Sequence, residues 1–552
     1  MLRLIDRRIG LLFAAFLFML ACALAKAGWL GVVRADDLRN AAVVQQNAVI
    51  DVPAQRGTIE DAGGQVLAVS EPAVTVTANP YLIEDPAKVA RALSPLLGKP
   101  LEEVVDKLTQ PETGFVYLAQ KIPGDKGRKI KDLGFNGIDL VAEHRRRYPR
   151  AWSASQVLGT VGAEGKGLAG LEYSLDRTLH GRDGKRQVVK DGAGAPLSLR
   201  ERVPAVPGKT VRLTLDAAIQ DRTEEVLAEV GRQWSPKGAT AIVMDPRDGS
   251  VLALANWPRV NANDLGDAPE YAMQNRAVGA TYEPGSTFKA FTVASGLEDG
   301  KITPQTSFYL PPTLQVADRE IKESHPRGPV TYTPGQILEK SSNVGAVKIG
   351  LLQGRERFHH WIERLGFGRP TGIDLPGEER GIVLPLDRYS DSTMGNLPLG
   401  QGISVTPMQM ASAYAALANG GMLRPPRIVS QIDGVPQPAP EGRRVMSPET
   451  ARAVSRMLEG VTGPGGTASG ADIPGYVLAG KTGTSQVAEL GGYSESKYVA
   501  SFVGFAPARN PRLLVSVMVD QPSNEIYGGL VAAPAFKQIT SFALSYRGIP
   551  PE

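Results

Sequence analysis

The sequence predicts an α/β protein of the α+β kind, in which one membrane-length helix precedes a strand-rich segment and an antiparallel sheet covered by helices. Three observations carry that expectation. Ile9 to Val33 is apolar except for Lys26. From about Arg34 to Pro204, short strand-like runs alternate with turns punctuated by proline and glycine. Beyond the linker Pro204 to Lys209, the periodicities run helix, two strands, a long helical insertion, three strands, helix.

The apolar segment is long enough to cross a bilayer as a helix. Arg3, Arg7 and Arg8 precede it, offset only by Asp6, whereas Arg34 and Arg39 beyond it are balanced by Asp36 and Asp37. The positive-inside rule then puts residues 1–8 in the cytoplasm and the bulk of the chain outside, with Lys26 able to snorkel toward the outer interface. An uncleaved single-pass anchor is the expectation. Two other readings stay open: a signal peptide cleaved at Ala21-Cys22-Ala23 or Ala25-Lys26-Ala27, and a lipoprotein cleaved at Cys22, for which Met19-Leu20-Ala21 is a poor match.

In the strand-rich segment Ala73 to Ala78 reads as a strand. Asp85-Pro86 opens a helix running to about Leu97, and Leu101 to Leu108 reads as another. Past the linker, Val211 to Leu215 is a strand, and Asp216 caps a helix with Ile219, Val226, Leu227 and Val230 on one face. Ala239 to Met244 and Val251 to Ala255 form a hairpin around an Asp-Gly turn. Thr406-Pro407 with Gln409 has the form of a capping box, and Gly420-Gly421 ends that helix. Val477 to Ala479, Val499 to Phe505 and Leu513 to Val519 are three further strands, and Ala533 to Tyr546 is a closing helix.

Composition removes several classes. The 552 residues, 42% hydrophobic and 21% charged, can bury a sizeable core, and a formal net charge of +4 with no long basic run argues against nucleic acid as a partner. Cys22 is the one cysteine, so neither an intrachain disulfide nor a cysteine zinc site can form. His359-His360 is the only adjacent histidine pair and reads as structural. No fixed-period repeat is visible, which removes solenoids and propellers.

The segment Glu283-Pro284-Gly285-Ser286-Thr287-Phe288-Lys289 carries the chemistry. Pro284-Gly285 breaks the chain, and an apolar helix can follow, leaving Ser286 at its N-terminus where backbone N–H groups favour developing negative charge. Lys289 lies one turn on, on the same face. A serine hydroxyl is a weak nucleophile until a base takes its proton, and a buried lysine with a lowered pKa can be that base. Alone the spacing is weak, since such a match arises about once or twice by chance in a chain of this composition. Ser494-Glu495-Ser496-Lys497 is a second match, expected to be a solvated loop. Ser341-Ser342-Asn343 supplies a hydroxyl that can relay a proton and an amide that can grip a substrate amide. Lys481-Thr482-Gly483-Thr484 follows a strand-like run, with Gly483 placed to let a substrate backbone approach. Lys481 and the threonine hydroxyls can hold a carboxylate.

In this order the three elements are the S-x-x-K, S-x-N and K-T-G signature of penicillin-binding proteins and β-lactamases, with Ser-Ser-Asn in place of Ser-Asp-Asn. The chain resembles the class B, monofunctional penicillin-binding proteins over most of its length. Arg56-Gly57-Thr58-Ile59-Glu60-Asp61 with Gly64, Leu67 and Ala68 resembles the hallmark of their N-terminal module, and Gly167 to Glu172 resembles its G-x-x-G-[LI]-E element. Arg56 and Glu172 read as a structural ion pair within that module. Tyr527-Gly528-Gly529 with Ala532-Ala533-Pro534 and Phe536 is similar to the tail of the division-specific, FtsI-like branch.

The resemblance implies a cytoplasmic tail at 1–8, a transmembrane helix at 9–33, an elongated non-catalytic pedestal of the dimerisation type at 34–205, and a transpeptidase domain with a five-stranded antiparallel sheet at 206–552, held outside the cell membrane. It implies a serine D,D-transpeptidase that cross-links peptidoglycan stem peptides through an acyl-enzyme, in septal wall synthesis, and is inhibited covalently by β-lactams. Ser286 would be acylated and Lys289 would be the base, while Ser341 and Asn343 would shuttle the proton and orient the peptide. Lys481, Thr482 and Thr484 would bind the terminal carboxylate, and the N–H groups of Ser286 and Thr484 would form the oxyanion hole. No metal or organic cofactor is implied. The implied partners are stem peptides, β-lactams, a SEDS-family membrane glycosyltransferase and divisome proteins. D,D-carboxypeptidases and serine β-lactamases share the trio but usually lack the Arg56-Gly57 module, and a β-lactam sensor would need more than eight residues before the anchor.

Overall fold

The structure is a computed structural model that describes residues 2–37, 47–190, 196–266, 268–489 and 492–551. Arg39 lies outside the described residues. The chain divides into two compact units, Met1–Gln55 with Gly181–Pro207, and Arg56–His180 with Gly208–Glu552.

In the first unit the apolar segment forms the helix Leu2–Gly28 and continues as a π-helical turn, Trp29–Val33. Residues 7–33 are long and apolar enough to cross a membrane, and none of the most apolar stretch is buried within the protein. At 1.5 Å per residue such a run exceeds a hydrocarbon core of about 30 Å. Lys26 and Arg34 both sit over the Trp29 ring, 5.2 and 5.4 Å from its centroid. Trp and basic residues together make an interfacial anchor. The rest of this unit is a three-stranded antiparallel sheet of Asn47–Val52, Gly184–Lys190 and Pro196–Val203, with Gly184–Lys190 central.

The second unit contains a long strand, Val66–Ala78, flanked by Val116–Pro123 and Ile138–Arg147. Asp85 caps the helix Pro86–Leu97 by accepting from the Lys88 N–H at 2.9 Å, and Gly98, at φ +68°, ends it. Val89, Leu93 and Leu97 from that helix, with Val104 and Leu108 from Leu101–Leu108, bury against Val76, Leu118 and Ile122 of the strands. Beside this layer lies a buried ionic cluster. Glu172 is fully buried; it accepts from Arg56 Nε and from Arg146 Nε, each at 2.6 Å, while Arg56 also donates to Asp176 at 2.6 Å. Gly57 has no room for a side chain, because a Cβ there would lie 2.0 Å from the Lys209 carbonyl oxygen. Asp61 accepts from the N–H groups of Gly63 and Gln65, and at 3.1 Å from that of Ala217 at the start of the next long helix.

The same unit contains a five-stranded, wholly antiparallel sheet in the order Val251–Trp257, Gly238–Met244, Leu513–Asp520, Gly492–Ala506, Ala479–Glu489. Every residue of Gly238–Met244 is buried, as expected of a strand covered on both faces. Ala217–Trp234 and Gly528–Tyr546 pack together and on the sheet, as do Pro407–Ala418 and Pro448–Thr462. The expected capping box is present, with Thr406 accepting from Gln409 N–H and Gln409 returning the bond. His359 Nδ1 meets the Tyr389 hydroxyl at 2.9 Å, a structural contact.

Three local expectations are corrected. Lys481-Thr482-Gly483-Thr484 lies within the edge strand Ala479–Glu489, not after it, because pairing with Gly492–Ala506 extends a run whose glycines and threonines read locally as a turn. Ser494 to Lys497 belongs to that partner strand and not to a solvated loop, with Ser494 buried. The closing helix starts at Gly528, ahead of Ala533, since Gly528-Gly529 reads as a breaker yet passes close to the sheet: a Cβ on Gly528 would lie 2.3 Å from the Ser501 carbonyl oxygen.

Candidate active site

Ser286 sits in a single 3-10 turn, Gly285–Phe288, that runs directly into the α-helix Lys289–Glu298. Gly285, at φ +54°, makes the entry turn, and its N–H bonds the Gly400 carbonyl at 3.0 Å. Thr287 Oγ1 donates to the Pro284 carbonyl at 2.7 Å, and the buried Tyr414 hydroxyl donates to the Thr287 carbonyl at 2.6 Å. From the edge strand, Ser485 Oγ donates to the Glu283 carbonyl at 2.7 Å. Phe288 and Phe291 pack beneath, with Phe291 edge-on to Tyr414 at 5.2 Å. The nucleophile turn is thus braced from the sheet and from the aromatic core.

Lys289 is fully buried. Its Nζ donates to the Ser341 carbonyl and to Asn343 Oδ1, each at 2.6 Å, and lies 3.4 Å from Ser341 Oγ. Burial pushes its pKa down to about 7, with the Glu323 carboxylate acting in the opposite direction. Lys481 is also fully buried, and its Nζ donates to Ser341 Oγ at 3.0 Å. Burial, then the neighbouring Lys289 charge, holds its pKa well below that of an ordinary lysine. Two buried amines meeting at one hydroxyl cannot both keep a proton cheaply, so each makes the neutral form of the other easier to reach. Among the described residues the Lys289 amine bonds Ser341 and Asn343 and not Ser286, which is compatible with a base whose bond to the nucleophile tightens on substrate binding.

Ser341 has φ +57°, a conformation that costs on the order of 1 kcal/mol for a residue with a side chain and that turns its hydroxyl toward both amines. Ser342 caps the helix Asn343–Gln353 by accepting from the Gly345 N–H at 3.0 Å. Asn343 Oδ1 takes the Lys289 bond, and Nδ2 donates one of its two N–H groups to the Lys322 carbonyl at 2.7 Å. Gly483 has a close-packing role inside the protein. A Cβ there would lie 2.3 Å from Ser501 Oγ and 3.0 Å from the Pro284 carbonyl oxygen, so the glycine lets the edge strand close on the nucleophile turn. Thr482 Oγ1 meets Thr467 Oγ1 at 2.9 Å, and Thr484 Oγ1 accepts from the Gly528 N–H at 3.2 Å.

These groups open on a cleft of about 930 Å³ lined by Ser286, Ser341, Asn343, Thr482 and Thr484, with Tyr527 and Gly528 along it. Lys289 and Lys481 are fully buried and are not among the residues that line it. The motif reading missed Glu323 and Arg327, which hold the Ser341–Asn343 turn, and Thr467, which pairs with Thr482. None belongs to a recognisable local pattern; each arrives by long-range packing.

Residues 239–541 match the family model of the penicillin-binding protein transpeptidase domain, and residues 51–213 that of the penicillin-binding protein dimerisation domain. The chain is 33% identical over 556 residues to a probable peptidoglycan D,D-transpeptidase PenA of Neisseria gonorrhoeae, covering 99% of this chain and 94% of the relative. It is 32% identical over 555 residues to the peptidoglycan D,D-transpeptidase FtsI of Escherichia coli strain K12, covering 99% and 93%. The solved structure of penicillin-binding protein 3 from Mycobacterium tuberculosis, complexed with aztreonam, superposes with a TM-score of 0.73 at 30% identity, over 91% of this chain and 98% of that one. Both family models match in the order that joins a dimerisation module to a single catalytic domain, and the chain belongs to the class B penicillin-binding proteins.

Proposed function

We propose that this protein is a serine D,D-transpeptidase that cross-links peptidoglycan stem peptides through an acyl-enzyme on Ser286. The single observation that carries the reading is the meeting of two buried amines, Lys289 and Lys481, at Ser341 Oγ beside the cleft that exposes Ser286. The names of the relatives and the β-lactam complex of the solved neighbour support it.

Ser286 Oγ attacks the carbonyl of the penultimate D-Ala while its proton passes to neutral Lys289. The tetrahedral oxyanion is met by the N–H groups of Ser286 and Thr484. As the peptide bond breaks, a proton returns through Lys289 and Ser341 to the departing amine of the terminal D-Ala. The amine of a second stem then attacks the ester, gives its proton to Lys289, and leaves Ser286 reprotonated and the two stems joined. Asn343 holds Lys289 in place, and Lys481, Thr482 and Thr484 receive the terminal carboxylate. A β-lactam acylates the same serine, but its leaving amine stays tethered to the acyl group and blocks the second half of the reaction.

The helix at 9–33 anchors the protein in the cell membrane. The catalytic segment, 206–552, works on the extracytoplasmic side, and 34–205 is its non-catalytic pedestal. The likeness to FtsI supports a role in septal wall synthesis beside divisome proteins. A transpeptidase without its own polymerase acts on strands made by another protein, here a SEDS-family membrane glycosyltransferase. The test is labelling by a fluorescent penicillin together with cross-linking of newly polymerised strands. Ser286→Ala loses both, and Ser494→Ala keeps both. Labelling that survives Ser286→Ala refutes the assignment.

A further inference from the structure

Glu323 belongs to none of the motifs, yet its carboxylate is more than nine-tenths buried beside them. It follows the strand Arg319–Lys322 in a polar run well upstream of Ser341. Oε1 accepts from Ser342 Oγ and Oε2 from the Asn343 backbone N–H, each at 2.6 Å, and Arg327 closes on the same carboxylate as an ion pair. We propose that Glu323 is a positioning residue for acylation: it clamps the turn that carries Ser341 and Asn343 and thereby holds the Lys289 amine in place. The inference rests on the acyl-enzyme reading above.

The geometry makes the clamp specific. Ser341 is held at a positive φ, which a residue with a side chain keeps only when its neighbours over-determine it. Glu323 fixes the two residues that follow, through one side chain and one backbone donor. Those bonds are charge-assisted and lie at the first turn of the helix Asn343–Gln353, where a carboxylate is favoured. Asn343, held also by the Lys322 carbonyl, then presents Oδ1 to the Lys289 amine. Several charges surround the pair. Lys481 reaches Ser341 Oγ from the edge strand, Arg327 is paired to Glu323 itself, the Lys322 amine is bonded to Glu320 at 2.9 Å, and the Lys340 amine to the Gly465 carbonyl at 2.9 Å. Glu323 is the carboxylate whose charge opposes burial at Lys289.

A plain helix cap and a positioning residue differ in what they do to the pH profile. The experiment uses the full chain in detergent, with the second-order rate of acylation by a fluorescent penicillin followed from acid to alkaline pH. Glu323→Gln loses at least one of the two accepting bonds and also removes the charge that favours the Lys289 ammonium. Its maximal rate falls roughly tenfold or more, and the acidic limb moves down by about one pH unit. Glu323→Asp keeps the charge on a shorter arm; its limb stays where the wild type has it while its rate falls. A Glu323→Gln limb that does not move, whatever happens to rate or melting temperature, makes Glu323 a helix cap and overturns the proposal. If Glu323→Gln cannot be recovered folded, a wild-type rate in Glu323→Asp overturns it. Wild-type protein that takes no label, or Ser286→Ala that still does, overturns instead the acyl-enzyme reading on which this role depends.

Discussion

Replacing Lys289 with arginine separates charge from basicity. The site holds the lysine pKa near about 7 by burial. About half of the amines are therefore neutral at pH 7, whereas an ordinary lysine of pKa 10.5 would be neutral in only about one molecule in three thousand. Burial thus supplies a factor of roughly a thousand in the reactive form. The free base exists above the folded pKa, so activity is present on the alkaline side and is lost as pH falls through about 7. Between pH 6 and pH 8 the neutral fraction, and with it the wild-type acylation rate, rises about tenfold. Guanidinium keeps its proton throughout that range, so Lys289→Arg retains the charge next to Ser341 and Asn343 but has no base to offer. Loss of a general base lowers rates by about 10²–10⁴, and acylation is expected to drop by about 10³ and to lose its limb near pH 7. Second-order acylation by a fluorescent penicillin measures this, with a melting curve to show that the variant is folded. A folded Lys289→Arg protein within tenfold of the wild-type rate, or a wild-type rate that climbs only above pH 9, would refute the reasoning.

Three further outcomes are expected. Glu172→Ala strands Arg56 and Arg146 without the buried carboxylate they share, and should lower stability by about 3–5 kcal/mol in a denaturant titration; a loss under 1 kcal/mol would show that Asp176 alone suffices for Arg56. A chain beginning at Arg34, without the apolar helix and Cys22, should be soluble and take up penicillin, since the cleft is built wholly from residues after Lys209; aggregation without labelling would show that the helix is required for folding. Exchanging residues 9–33 for an unrelated apolar helix should preserve labelling yet reduce co-purification with the polymerase and cross-linking of new strands, because Ala21, Ala23, Ala25, Ala27 and Gly28 permit close helix packing. Wild-type levels of both after the exchange would make the helix a tether only.

What the sequence determined by itself is local in origin. The membrane-length helix follows from an unbroken apolar run, and the caps at Asp85, Asp216 and Thr406 follow from side chains that bond the N–H groups of their own first turn. Ser286 and Lys289 are legible together because one turn of helix separates them. The two strands before the insertion, the two last strands and the closing helix follow from runs of alternating and continuous apolar residues. The insertion, read as helical, also holds short strands such as Phe308–Leu310 and Arg319–Lys322, and the edge strand runs over Ala479–Glu489 in place of Val477 to Ala479. What these residues do to one another is decided by contacts between distant parts of the chain. The descent of the Lys289 pKa needs a closed core over the amine, and the arrival of Lys481 at Ser341 needs the edge strand paired in register with Gly492–Ala506. The left-handed turn at Ser341 needs neighbours held from outside their own helix, and Glu323 does this from a segment whose local sequence reads only as polar. Gly483 makes the same point. Its local sequence says only that a side chain is absent, and the approach of Ser501 and the Pro284 carbonyl, brought there by the folded sheet and the nucleophile turn, gives the reason. Local rules act through a residue's own backbone over about one turn, whereas charge state, burial and close approach depend on which distant groups exclude water from it.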